Sequence, residues 1–413
     1  MHKYIFYLLV FIITSDINGF LSKTFETVGF LSIFILLLAS YLFVIVIGNR
    51  LRISSMARFM IFFIFFWLIY GALIYYTKGI DYGDPIFRIR SYLPSILILY
   101  VLHALFLNYL YNNRLDSIIK LITISLIFNA LAIVFTNDSS FLILTGDRAS
   151  GFIASVNQAG YIAVTGQIFT LFCYLNYPNI RNRYKILLIL CYFLTLRAGF
   201  MTFSKGAIVN SVIVFIIFLF FINRNHFKTL KEAIKWKSNK IIFRIILLLA
   251  IIIGPIYWSS LLLELTKDQI ARLNQVGILF LGQIDSETTT GRIELVDIAI
   301  DFIQSDSFLG RGLDTFHRLG SGELPGPHNE FLLILGEIGI IGLLLYISFY
   351  VVVLFNIFRL DSGRSKFLIL SLTVVLILDN MVSHNVFFNK FAILIIAFIC
   401  AFVQYKKIPK VTV

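Results

Sequence analysis

Long apolar runs alternate with short polar connections along the whole chain. They predict helices at about 4–21, 28–48, 57–77, 92–111, 116–136, 158–177, 184–200, 205–223, 241–262, 329–358, 366–383 and 386–405. Each run approaches the roughly 20 residues needed to cross a hydrocarbon layer about 30 Å thick. The runs are continuous, whereas a membrane barrel would alternate apolar and polar positions. The pattern therefore predicts an all-α integral membrane protein with about twelve transmembrane helices. One long polar stretch interrupts it, and the chain divides into spans 1–9 (residues 1–262), a loop (263–328), and spans 10–12 with a tail (329–413). The first run lacks a small-x-small cleavage site and is followed by further spans, so it reads as a helix and not a leader.

Composition agrees with this reading. The 413 residues are 59% hydrophobic and 14% charged, against roughly 25% charged in an ordinary soluble domain. Cys173, Cys191 and Cys400 all fall inside apolar runs with no CxxC spacing, which gives neither a disulfide framework nor a metal site. No internal repeat or low-complexity tract is visible.

The net charge of +13 acquires meaning only through topology. Cytoplasmic loops of membrane proteins are enriched in Lys and Arg. With the N-terminus inside, most of the chain's 35 such residues fall on the inner side. They include Arg50, Arg52 and Arg58, the run from Arg224 to Arg244, and Lys406, Lys407 and Lys410. The basic run needs no nucleic acid to explain it, because anionic lipids attract such loops. Both termini are expected inside and the long loop outside, in the periplasm or its equivalent.

Arginines kept on the outer side against this bias are candidates for holding an anion. They are Arg88 and Arg90 before Pro94, Arg148 near Gly151 and Asn157, Arg197 with Lys205 between spans seven and eight, and Arg292 in the long loop. Arg292 opens an amphipathic run, 293–303, with Asp297 and Asp301 on its polar face. An arginine in a first helical turn reinforces a position that already favours phosphate, or it is simply a solvated side chain. Gly310-Arg311-Gly312 reads as a turn. Pro325-Gly326-Pro327 stiffens the approach to His328 and Asn329. His328 is placed at the outer membrane surface, either as a general base near neutral pH or as a solvated helix-start histidine. Asn329 is a candidate helix cap. Glu337 lies inside the tenth run among Gly336, Gly339 and Gly342, as a functional carboxylate or a satisfied structural one. No Walker-type loop, GxSxG motif or metal-ligand spacing is present in the sequence. Any catalysis is thus expected to be metal-independent and to need no cofactor.

These residues resemble those of the O-antigen ligase/polymerase superfamily, the Wzy_C proteins. The resemblance lies in the twelve spans, the large loop between the ninth and tenth, and three stretches around that loop: Arg292 in GRIELVDIAI, Gly310 and Gly312 in SFLGRGLDTF, and His328, Asn329, Glu337, Gly339 and Gly342 in HNEFLLILGEIGIIG. RASGFIASVNQAGY is similar to an upstream family segment, through Arg148, Gly151 and Asn157. TFSKGA carries Lys205 where the family usually has arginine, which keeps the charge but loses the bidentate fork.

The resemblance implies a GT-C-like membrane glycosyltransferase of the bacterial inner membrane with its active site facing the periplasm. Its donor would be an undecaprenyl-pyrophosphate-linked oligosaccharide, and its other partners the bilayer and a chain-length regulator protein, with no nucleic acid. His328 and Arg292 would be catalytic. Arg148, Arg88, Arg90, Arg197, Lys205, Asn329 and Glu337 would bind pyrophosphate or sugar. The leading expectation is an O-antigen polymerase, which extends a lipid-linked repeat. The first alternative is an O-antigen ligase, which transfers polymer to lipid A core. The second is a lipid-linked sugar transporter or flippase, disfavoured because no repeat of the two halves and no charge in the middle of paired or broken helices is apparent.

Overall fold

A computed structural model of the protein describes residues 2–15, 30–80, 83–135, 143–145, 148–153, 155–177, 181–224, 269–272, 275, 297–301, 303, 308–316, 318–319, 324–326, 328–360, 362–383 and 386–407. Eleven helices of fourteen residues or more are present among them: α1 (His2–Ser15), α2 (Phe30–Gly48), α3 (Ser55–Thr77), α4 (Pro85–Tyr111), α5 (Leu115–Val134), α6 (Val156–Asn176), α7 (Asn182–Met201), α8 (Lys205–Arg224), α9 (Glu330–Phe358), α10 (Gly363–Val382) and α11 (Lys390–Lys407). Each coincides with one of the expected runs. The expected ninth span, 241–262, lies outside the described residues, as does Arg292. Among the described residues six helices are long and apolar enough to cross a membrane, and the chain is a multi-pass membrane protein.

Two antiparallel two-stranded hairpins depart from the all-α expectation. β1 (Ile143–Thr145) pairs with β2 (Arg148–Gly151), and β3 (Arg318–Leu319) pairs with β4 (Leu324–Pro325).

Helix α11 is the axis of the bundle. Every residue from Phe391 to Val403 is buried. It packs chiefly along α4 and also touches α1, α3, α9 and α10. Phe398 lies edge-on to Phe106 of α4 (5.6 Å) and against Phe169 of α6 (5.7 Å). The outer helices show the opposite pattern. Phe62, Phe65, Ile69 and Leu73 form an exposed apolar stripe on α3, and Ile186, Leu187, Leu190 and Phe193 form one on α7. Such surface suits lipid and would be a liability in water.

Two elements differ from the sequence reading in ways that matter for the site. The fourth helix starts at Pro85, not near residue 92. Asp84 caps it by accepting from the Phe87 N–H, and Pro85 occupies the first turn, where its missing N–H costs nothing. Arg88 and Arg90 thus lie inside α4 and not in a loop before it.

The tenth run is not one straight helix. Ile338 (φ −128°, ψ 16°) and Gly339 (φ 67°, ψ −168°) interrupt α9. On an unbroken helix Phe331 would lie about 22 Å from Tyr346 along the axis and about 28 Å from Tyr350. Their ring centroids are 5.5 and 6.3 Å apart. The Glu330–Glu337 segment therefore folds back against the rest of α9. Hydropathy cannot reveal this, because both halves are apolar. Gly339 permits it: its combination of φ 67° and ψ −168° is essentially confined to glycine, and a Cβ there would overlap the Phe308 carbonyl.

Candidate functional site

Alternating helix direction brings to one face the N-terminal ends of α2, α4, α6, α8 and α11, the C-terminal ends of α1, α3, α5, α7 and α10, and the break in α9. Most of the described sequence-predicted residues are on this face, and the structure gathers several of them into two groups.

The first group is built around the loop at 308–316. The break in α9 leaves helix carbonyls without their usual partners, and the loop supplies them. Arg311 N–H donates to Gly336 O (2.8 Å) and Gly312 N–H to Glu337 O (2.9 Å). On the other side Leu313 N–H donates to Gly71 O of α3 (2.8 Å), and Lys78 Nζ to Gly310 O (3.0 Å). The approach is close enough that a Cβ on Gly312 (φ +108°) would sit 2.6 Å from the backbone of Tyr75, and one on Gly336 would overlap the Phe316 ring. The turn expected at Gly310–Gly312 is thus a joint between α3 and α9.

Under this joint lies a buried ionic set. Arg88 has no exposure; its Nη2 is 3.0 Å from Asp314 Oδ1 and 3.8 Å from Glu337 Oε1. Its guanidinium lies over the rings of Tyr92 (5.3 Å) and Phe388 (5.0 Å). Glu337 Oε2 accepts from Trp67 Nε1 (2.7 Å), and Oε1 from the Asp314 N–H (3.0 Å). Asp314 Oδ2 accepts from the Asp84 N–H (2.8 Å). Burial raises the Asp314 carboxyl above its ordinary value, against the opposing pull of Arg88.

These observations correct one step of the sequence reasoning. Arg88, Glu330 and Glu337 are charged residues within helices, and one of those helices is broken. The absence of such residues cannot be used against a transporter.

The second group joins β2, α6 and the α7–α8 link. Arg148 Nε donates to Thr202 O (2.8 Å), and Nη2 to Asn157 Oδ1 (3.1 Å). Lys205 follows three residues after Thr202, at the start of α8. The two groups are connected by the segment between α10 and α11. Its Phe388 covers Arg88, and its Asn389 accepts from Gln158 Nε2 of α6 (3.4 Å). Phe387 O accepts from Ser95 Oγ (2.5 Å). Ser95 is ten residues into α4, so this segment is set about 15 Å below the helix's start.

His328 and Asn329 open α9 beside that segment. Asn329 caps the helix through Phe331 N–H (3.0 Å) and Leu332 N–H (3.1 Å). Glu330 is fully buried, and its Oε2 accepts from Val386 N–H (3.4 Å). His328 is thus at the foot of a folded-back segment and not at the mouth of a straight span. Its φ of +47° is unusual for a residue with a side chain, and such backbone conformations cluster at functional sites. Arg90 and Arg197 are exposed. The helical residues 297–301, which follow Arg292 in the chain, bury Ala299 and expose Asp297 and Asp301.

Sequence reasoning missed Trp67, Asp314 and Glu330. Glu330 stands within the quoted HNE stretch, and Asp314 is two residues past Gly312. Trp67 carried no mark that separates it from the other aromatics of its run.

Residues 186–347 match the family described as O-antigen ligase. This interval contains Lys205, Gly310–Gly312, His328 and Glu337. No curated protein matches the chain.

Proposed function

The match over residues 186–347 supports assignment of the chain to the O-antigen polymerase/ligase superfamily, and from that premise we propose that it is a surface-polysaccharide polymerase. In this reading it works at the periplasmic face of the inner membrane. It transfers an undecaprenyl-pyrophosphate-linked oligosaccharide to the end of another lipid-linked repeat.

The observation that carries the reading is the placement of His328. The family match spans it, its backbone is held in the left-handed region, and the Asn329 cap and buried Glu330 follow it directly. The acceptor hydroxyl attacks the anomeric carbon of the donor and His328 takes its proton. The bond from that carbon to the pyrophosphate oxygen breaks, and the electron pair leaves with undecaprenyl pyrophosphate. Arg148, with Lys205 three residues past the Thr202 carbonyl it binds, and Arg292 meet the charge of the leaving group. Arg197 and Arg90 add positive charge to the same side of the protein. Holding two membrane-tethered substrates in register supplies much of the remaining acceleration.

The description of the matching family favours a second reading, a ligase that uses the same chemistry with lipid A core as acceptor. Deleting the gene in its own host separates the two. Loss of a polymerase leaves core capped by a single repeat. Loss of a ligase leaves bare core, with polymer remaining on the carrier. Unchanged surface polysaccharide would overturn both.

A further inference from the structure

We propose that Arg88, Asp314 and Glu337 form a positioning clasp. The clasp holds the 308–316 loop on the break in α9, and thereby fixes the folded-back start of α9, which carries His328 and Asn329, against α3 and α4. In this role Arg88 and Glu337 do not bind pyrophosphate or sugar.

Four observations support the clasp. Arg88 is fully buried, faced by two carboxylates and covered by the rings of Tyr92 and Phe388. A phosphate could reach it only by displacing Asp314. Both oxygens of Glu337 are already bonded, to Trp67 and to the backbone of Asp314. The partners come from separate elements, with Trp67 on α3, Arg88 on α4, Asp314 in the loop and Glu337 at the break in α9. Finally, the loop's N–H groups occupy carbonyls that the break leaves open, so the ionic set and the backbone joint act at one place.

The pairing balances charge more than it aligns hydrogen bonds. Among the described residues, Arg88 Nε and Nη2 and Asp314 Oδ1 make no well-aligned hydrogen bond, although the ion pair is close. Removing Arg88 alone leaves the fully buried Glu337 and the largely buried Asp314 facing each other. Removing all three charges leaves none uncompensated within the set; Glu330, which also feels Arg88, keeps its bond from Val386 N–H. A positioning role and a ligand role therefore predict different behaviour in combined variants.

The activity arm of the test rests on the transferase reading, and the cleavage arm does not. Arg88→Met, Asp314→Asn/Glu337→Gln and the triple variant are purified in lipid nanodiscs. Trypsin cleavage after Arg311 reports the loop. Expected are at least tenfold faster cleavage than wild type in Arg88→Met, and faster cleavage in the double variant, where Arg88 has lost both counter-charges. The triple variant should return to within about threefold of wild type. Turnover is followed with undecaprenyl-pyrophosphate-linked oligosaccharide isolated from the host. Arg88→Met should lower kcat at least tenfold with KM within about twofold, and the triple variant should recover most of kcat. A triple variant as inactive as Arg88→Met, with raised KM, would make Arg88 a substrate ligand and overturn the clasp. So would wild-type cleavage of the double variant, which decides the matter if Arg88→Met does not fold. A wild-type protein without transfer activity would refute the transferase reading and leave the cleavage result to judge the clasp.

Discussion

Replacing Gly312 by alanine tests the joint between α3 and α9 most directly. Two costs add. The first is conformational: φ is +108°, and a residue with a Cβ pays roughly 1–3 kcal/mol in such a region. The second is steric. The new Cβ would meet the Cα and N of Tyr75 at 2.6 Å, and helix backbone cannot rotate away as a side chain can. The loop must move instead, which loses the bonds Gly312 N–H to Glu337 O and Leu313 N–H to Gly71 O, each worth about 1 kcal/mol. The sum is about 3–5 kcal/mol. Gly79 provides the control, because its φ is +59° but nothing lies within 4 Å of a Cβ built there. Gly79→Ala should therefore cost only the conformational part, about 1–2 kcal/mol. Thermal unfolding of both variants in detergent should lower Tm at least about one and a half times as far for Gly312→Ala. Equal shifts would mean that the loop does not rest on Tyr75 as described.

Trp67→Phe keeps the ring but removes the donor to Glu337 Oε2, and should cost about 1.5–3 kcal/mol, read from the unfolding midpoint. Asp314 has a raised folded-state pKa, so its contribution to stability is full below its ordinary pKa and is lost as pH rises through the folded value. Wild-type Tm should fall relative to Asp314→Asn as pH is raised from about 4, and parallel curves would refute the shift. His328→Gly relieves the left-handed backbone and should be about 1 kcal/mol more stable than His328→Ala. Both should lack transfer activity under the proposed mechanism, and normal polysaccharide chain lengths in either would remove the imidazole from it. Asn329→Ala should lose about 1 kcal/mol of helix stability, because two N–H groups lose their acceptor.

What could be read from the sequence follows from how local each feature is. Helices such as α5 and α8 were visible because apolar length alone defines them. Asn329 was recognisable as a cap because a cap is set by its own neighbours. The break in α9 was not, since Ile338 and Gly339 sit in an unbroken apolar run and only packing against the 308–316 loop reveals it. Glu337 was singled out because a carboxylate is costly in that setting, but its partner Trp67 is 270 positions away in the chain, and no periodicity connects them. Arg88 was noticed for its charge and assigned to a loop, because the Asp84–Pro85 start extends α4 past the apolar run. Its burial depends on Asp314 and Phe388, which arrive from remote segments.

The central position of α11 bears on how the protein is made. The main partner of α4 is α11, whose first residue is synthesised roughly 280 residues after α4 ends. At about 5–20 residues per second, α4 waits roughly 15–60 s in the bilayer before that partner emerges. During this interval the faces of Leu99, Leu102 and Phe106, fully buried in the finished bundle, are met by lipid or by provisional neighbours. Assembly is therefore completed late. A ribosome that stalls before Lys390 leaves a chain whose helices are already inserted but whose bundle has no axis, a natural substrate for membrane quality-control proteases.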